Sequence, residues 1–61
     1  MYVSFESTML DYYVEQCGLP FITTDMDGKP MGLIFAQPGG YDVDGLQQVK
    51  SVEEMHTIAS Q

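Results

Sequence analysis

The chain holds one thiol, Cys17, and one imidazole, His56, so any cysteine–histidine nucleophile and base would have to be built from these two. Such chemistry also needs a group to orient the base and a pocket to hold a substrate. The residues around them point elsewhere. Cys17 falls on an apolar helical stripe, where a cysteine acts as a small buried hydrophobe, and His56 borders the apolar face of the last segment. A zinc site fails on the same count, because four ligands cannot come from one Cys and one His without carboxylates or a second chain. No catalytic residue and no cofactor is expected.

Two Asp-x-Asp-Gly segments, Asp25-Met26-Asp27-Gly28 and Asp42-Val43-Asp44-Gly45, have the repeated carboxylates with which calcium loops begin. If Asp25, Asp27 and Gly28 took the third, fifth and sixth loop positions, Ile34 would stand where a bidentate Glu is required, and Ser51 would stand there in the second segment. Both segments therefore read as turns, for which Asp and Gly are favoured on independent grounds. A phosphate-binding loop fails as well: Gly28-Lys29-Pro30 lacks the upstream glycine and the Ser or Thr after Lys.

What remains is the carboxylate inventory. Nine acidic residues face two lysines, Lys29 and Lys50, with no arginine, for a formal net charge of -7. A chain so charged repels nucleic acid and anionic membranes, since gripping phosphates takes several cations. It favours encounter with basic surfaces. The candidate partner-binding residues are Asp11 and Glu15 on the first helix, Asp25 and Asp27 at a hairpin tip, Asp42 and Asp44 near the next turn, and Glu53 and Glu54 at the start of the last helix. Gathered on one surface, they would suit a basic protein groove such as that of a nucleic-acid-handling enzyme, the strategy of DNA-mimicking inhibitors encoded by viruses. The competing reading is local: turn aspartates, glutamates on a helix dipole and ordinary solvated positions.

The elements that must position these groups follow from periodicity. Phe5, Met9, Leu10, Tyr13, Val14 and Cys17 recur at helical spacing, with Ser4 or Ser7 to cap the start and Gly18 and Pro20 to end it. The alternative is a short strand over Tyr2 to Phe5 feeding a shorter helix from Ser7. Phe21-Ile22-Thr23-Thr24 and Leu33-Ile34-Phe35, separated by Asp27-Gly28, predict a β-hairpin whose second strand starts irregularly because of Pro30 and Gly32. Tyr41 to Lys50 alternates as a third strand would, although Asp44-Gly45-Leu46-Gln47 also suits a helix cap. Ser51-Val52-Glu53-Glu54 is a capping box that opens a helix over about 52–59, with Val52, Met55 and Ala59 on its apolar side.

The expected fold is α+β: a small antiparallel sheet, made of the central hairpin and a possible third strand, flanked by an N-terminal and a C-terminal helix. Residues 19–35, with Leu19-Pro20, an apolar strand, Asp27-Gly28-Lys29 and a Gly32-led apolar strand in order, resemble the paired strands of CBS domains. Gln37 to Gly40 depart from that pattern where the family begins a helix, and the match is to a hairpin shared by many proteins, so membership is not inferred.

At 61 residues one domain is expected, with a core small enough to leave stability marginal. A lone cysteine cannot staple it, so self-association is the natural supplement, and a homodimer is a possible state. The longest apolar run, Leu33 to Ala36, is far too short to span a bilayer, no leader is apparent, and the free thiol suits a reducing compartment, so the cytoplasm (host cytoplasm for a viral chain) is expected. The functional expectation is a small acidic protein that inhibits or regulates a partner by covering its basic surface. The alternative is an assembly module acting through apolar residues such as Tyr2, Tyr12 and Phe35, as an obligate dimer or complex subunit.

Overall fold

The computed structural model of the chain describes residues 1–36 and 43–60. Its elements run β1 (Tyr2–Val3), α1 (Leu10–Cys17), β2 (Phe21–Thr24), β3 (Pro30–Ile34), β4 (Gln47–Gln48) and α2 (Val52–Ala59). The strands form one four-stranded antiparallel sheet in the order β1-β3-β2-β4. An α+β fold with helices flanking the hairpin is what the residue pattern predicts.

The hairpin owes its shape to Asp25. Its Oδ1 accepts from the backbone N–H of Asp27 at 2.8 Å and of Lys29 at 2.9 Å. Its own N–H donates to the Lys29 carbonyl at 2.9 Å, and its carbonyl accepts from Gly28 at 3.1 Å. Gly28 has φ 82, a conformation that a side chain at Cβ disfavours, so the Asp-Gly pair supplies both the acceptor and the freedom the turn requires. The register then slips: Thr23 pairs with Gly32 but Thr24 with Pro30, leaving Met31 as the extra residue of a bulge. That is the irregular start expected from a proline with no N–H to give.

Alternation sorts the sheet into two faces. Val3, Leu33 and Ile22 lie side by side in register and face the helices, where Leu33 is fully buried with Phe35, Met55 and Val49. Leu10 of α1 completes this core, and Phe5, Tyr13, Val14, Cys17, Ile58 and Ala59 pack at its edges. Tyr13 meets Phe35 with ring centroids 5.6 Å apart. The next row, Tyr2, Ile34, Phe21 and Gln48, points to the opposite face.

Two helical expectations change. α1 starts at Leu10 rather than near Ser4, and Tyr2–Val3 is a strand, as in the alternative reading. The serine hydroxyls are the physical reason: Ser4 Oγ accepts from Glu6 N–H and Ser7 Oγ from Met9 N–H, both at 3.1 Å, so each closes a local turn and neither caps the helix. Phe5 still reaches the core from this turn, but Met9 is 44% exposed. α2 has the predicted cap, Ser51 Oγ accepting from Glu54 N–H at 3.0 Å, while the Glu54 carboxylate reaches one residue further back than a capping box requires, to Lys50 N–H at 3.3 Å. Val52, expected on the apolar side of α2, is 40% exposed, and Ile58 takes the inner position instead.

Among the described residues the third predicted strand is present as Gln47–Gln48, following a turn closed by Leu46 N–H on the Val43 carbonyl at 3.1 Å. Tyr41 and Asp42, assigned to the same stretch from sequence, lie outside the described residues.

Candidate functional site

The candidate acidic residues divide by what their carboxylates already do. Asp25 is committed to the hairpin turn through its two backbone contacts. Glu54 is committed to the N-terminus of α2. Asp11 Oδ1 stands 2.6 Å from His56 Nε2, joining the start of α1 to the middle of α2. Glu15, Asp27 and Glu53 are exposed, and their carboxylates make no contact among the described residues. Asp44 is exposed and engaged by a neighbour, and Asp42 lies outside the described residues.

Three of the acidic candidates, Asp11, Glu15 and Glu53, are exposed on the two helices. Asp11 and Glu15 are four residues apart on α1, hence on one face of it. Glu53 and His56 are three apart on α2 and share a face in the same way. The Asp11–His56 contact bridges the two helices, with Glu15 one turn further along α1 and Glu53 one turn back along α2. Neither helix contains a lysine or an arginine. Tyr12 stands beside Asp11, 51% exposed, with its ring edge-on to Tyr13 at a centroid distance of 5.7 Å. Asp27 belongs to a different element, the hairpin tip.

The histidine contact was not foreseen from sequence, where His56 reads as a residue bordering the core. It spans 45 positions, and no local signal announces such a pair. Exposure of 49% and 74% for the two side chains keeps it a surface interaction, worth no more than about 1 kcal/mol. Cys17 and His56 do not converge: Cys17 is half-buried at the far end of α1, about 9 Å along the axis from Asp11. Among the described residues no group of three or more His, Cys, Asp or Glu side chains is arranged to hold a metal.

Apolar side chains supply two other features. Tyr2 crosses β3 so that its ring lies over Gly32, and its hydroxyl donates to the Met31 carbonyl at 3.1 Å. Phe35, expected to be available for association, is instead wholly buried, because the residue after β3 still alternates onto the helical side. An open pocket of about 390 Å³ lies between the turn after β1, the tip end of the hairpin where β3 begins and the end of α2, lined by Phe5, Lys29, Pro30 and Ile58. No helix among the described residues is long and apolar enough to cross a membrane.

No family model matches the chain, and searches of curated proteins and of solved structures likewise returned no match.

Proposed function

We propose that this chain is a protein-binding domain that inhibits or regulates its partner by laying the acidic side of its helical layer on a basic surface. The observation that carries this reading is the charge of that layer: α1 and α2 expose Asp11, Glu15 and Glu53 and contain neither lysine nor arginine. A one-signed surface steers encounter with an oppositely charged one and repels nucleic acid and other acidic proteins. Tyr12, rigid and half-exposed among the carboxylates, is the side chain type that anchors interfaces.

A basic surface on a nucleic-acid-handling enzyme is one version of such a partner. The commitment of Asp25 and Glu54 to backbone groups reduces the carboxylates free to imitate a row of phosphates, which favours a compact basic patch over a long groove.

The test is recovery of the partner from lysate by the intact chain, followed by comparison with the triple variant D11K/E15K/E53K and by a salt titration. The proposal expects the triple variant to lose the partner and the wild-type complex to weaken steadily as ionic strength rises. Binding that ignores both the salt and the charge reversal would refute it. That outcome would favour the second reading, an assembly module held by apolar contacts, to which the half-exposed Tyr2 and Met31 lend support.

A further inference from the structure

We propose that two copies of this chain associate by exchanging hairpin tips, Met26 of each entering the pocket of Phe5, Pro30 and Ile58 on the other while its Asp27 meets the other copy's Lys29. This is independent of the acidic helical surface. It starts from a mismatch within one chain: Met26 is 104% exposed, an apolar side chain with no cover from its own fold, while a few residues along the same hairpin a pocket of about 390 Å³, with Phe5, Pro30 and Ile58 as its apolar walls and Lys29 as its polar one, stands open. The pocket is roomier than one methionine side chain needs. Its aromatic wall, Phe5, suits a thioether, since sulfur packs well against ring edges.

Charge fits in the same register. Lys29, one of only two lysines in an acidic chain, lines this pocket and pairs with no carboxylate among the described residues. Its nearest candidate, Asp25, is occupied by backbone N–H groups. Asp27, beside Met26, has no side-chain contact among the described residues. Knob and pocket therefore each carry an unspent charge of opposite sign. Because both belong to one hairpin, a two-fold axis between antiparallel hairpins satisfies both contacts at once, as an isologous interface requires.

The contact is small beside the roughly 1,200–2,000 Å² of stable interfaces, and both copies carry a net charge of -7. Association is accordingly weak, with a dissociation constant of about 0.1–1 mM at physiological salt, where the Debye length of about 8 Å screens repulsion between distant charges but not the contact itself.

Sedimentation equilibrium and amide chemical shifts, followed as protein rises through about 0.05–2 mM, test the proposal. Concentration-dependent shifts are expected at Phe5, Met26 and Ile58. Met26→Ser should weaken association about tenfold, as should Asp27→Lys and Lys29→Asp singly, while D27K/K29D should recover most of it. Asp27→Lys is the sharpest arm, because it lowers the net negative charge: repulsion between copies alone predicts tighter association where the hairpin exchange predicts weaker. These positions are exposed, so the variants fold. A chain that stays monomeric throughout, association that ignores Met26→Ser, or a double variant no better than its single parents would each overturn the proposal.

Discussion

Substituting Gly32 by alanine isolates the side-chain contact that adds to the backbone pairing of the first strand with the sheet. A Cβ at Gly32 would lie 2.6 Å from Tyr2 Cζ and from its hydroxyl oxygen, and 2.7 Å from Cε2, so the ring must leave. These atoms are the far end of a side chain that is 54% exposed, so the ring can swing into solvent without moving the backbone. The loss comprises the hydrogen bond to the Met31 carbonyl, about 0.5–1.5 kcal/mol, and the ring's contact with β3, about 0.5–1 kcal/mol. Against it stands a gain of about 0.5–1 kcal/mol from replacing glycine in a strand. The net cost of Gly32→Ala is then about 1 kcal/mol, or a fall of about 4–8 °C in Tm for a domain of this size.

The decisive comparison is the same substitution with Tyr2 already truncated. In a Tyr2→Ala background nothing remains for the Cβ to displace, so Gly32→Ala should be neutral or stabilising by about 0.5 kcal/mol. The coupling between the two positions is therefore about 1–2 kcal/mol, well above the 0.3–0.5 kcal/mol within which independent sites add. Thermal and urea unfolding of the four proteins, followed by circular dichroism, measures it. A Gly32→Ala cost that is the same in both backgrounds would show that the ring does not rest on Gly32, and the reasoning would fail.

Three other substitutions probe elements of the fold. Asp25→Ala should cost about 1–3 kcal/mol by removing the charged acceptor of two backbone hydrogen bonds that shape the turn, while Asp25→Asn, which keeps the accepting oxygen, should cost less; urea midpoints separate them. Ser51→Ala should lose about 1 kcal/mol with the cap of α2, and hydrogen exchange should accelerate first at Glu54 and its neighbours. Met55→Ala, in a fully buried site, should cost about 2–5 kcal/mol, enough to leave a domain this small largely unfolded at 25 °C by circular dichroism; a cooperative transition with an unchanged midpoint would contradict its place in the core.

How much of this was legible in the residues depended on distance along the chain. The hairpin and the start of α2 are written within five or so positions, in Asp25 to Lys29 and Ser51 to Glu54, because their hydrogen bonds close between near neighbours. Periodicity overextends the first helix because Phe5 and Met9 fall in register with its apolar stripe of Leu10, Tyr13, Val14 and Cys17. Periodicity does not register that Ser4 and Ser7 can take the same backbone N–H groups into turns. Of the acidic residues, spacing alone could identify Asp25 as a turn former and Glu54 as a capping residue, but not Asp11 as the partner of His56.

Composition and local pattern by themselves determined a small acidic α+β domain with two helices, a tight Asp-Gly hairpin and a charge that disfavours phosphate polymers. Tertiary structure alone decided that β1 pairs with β3, that Tyr2 covers Gly32, that Phe35 is interior, and that Asp11 meets His56. Those facts join residues some thirty to forty-five positions apart, as in Tyr2 with Met31 and Asp11 with His56. The free energy that selects them comes from burying one common core, and no short stretch of sequence contains it.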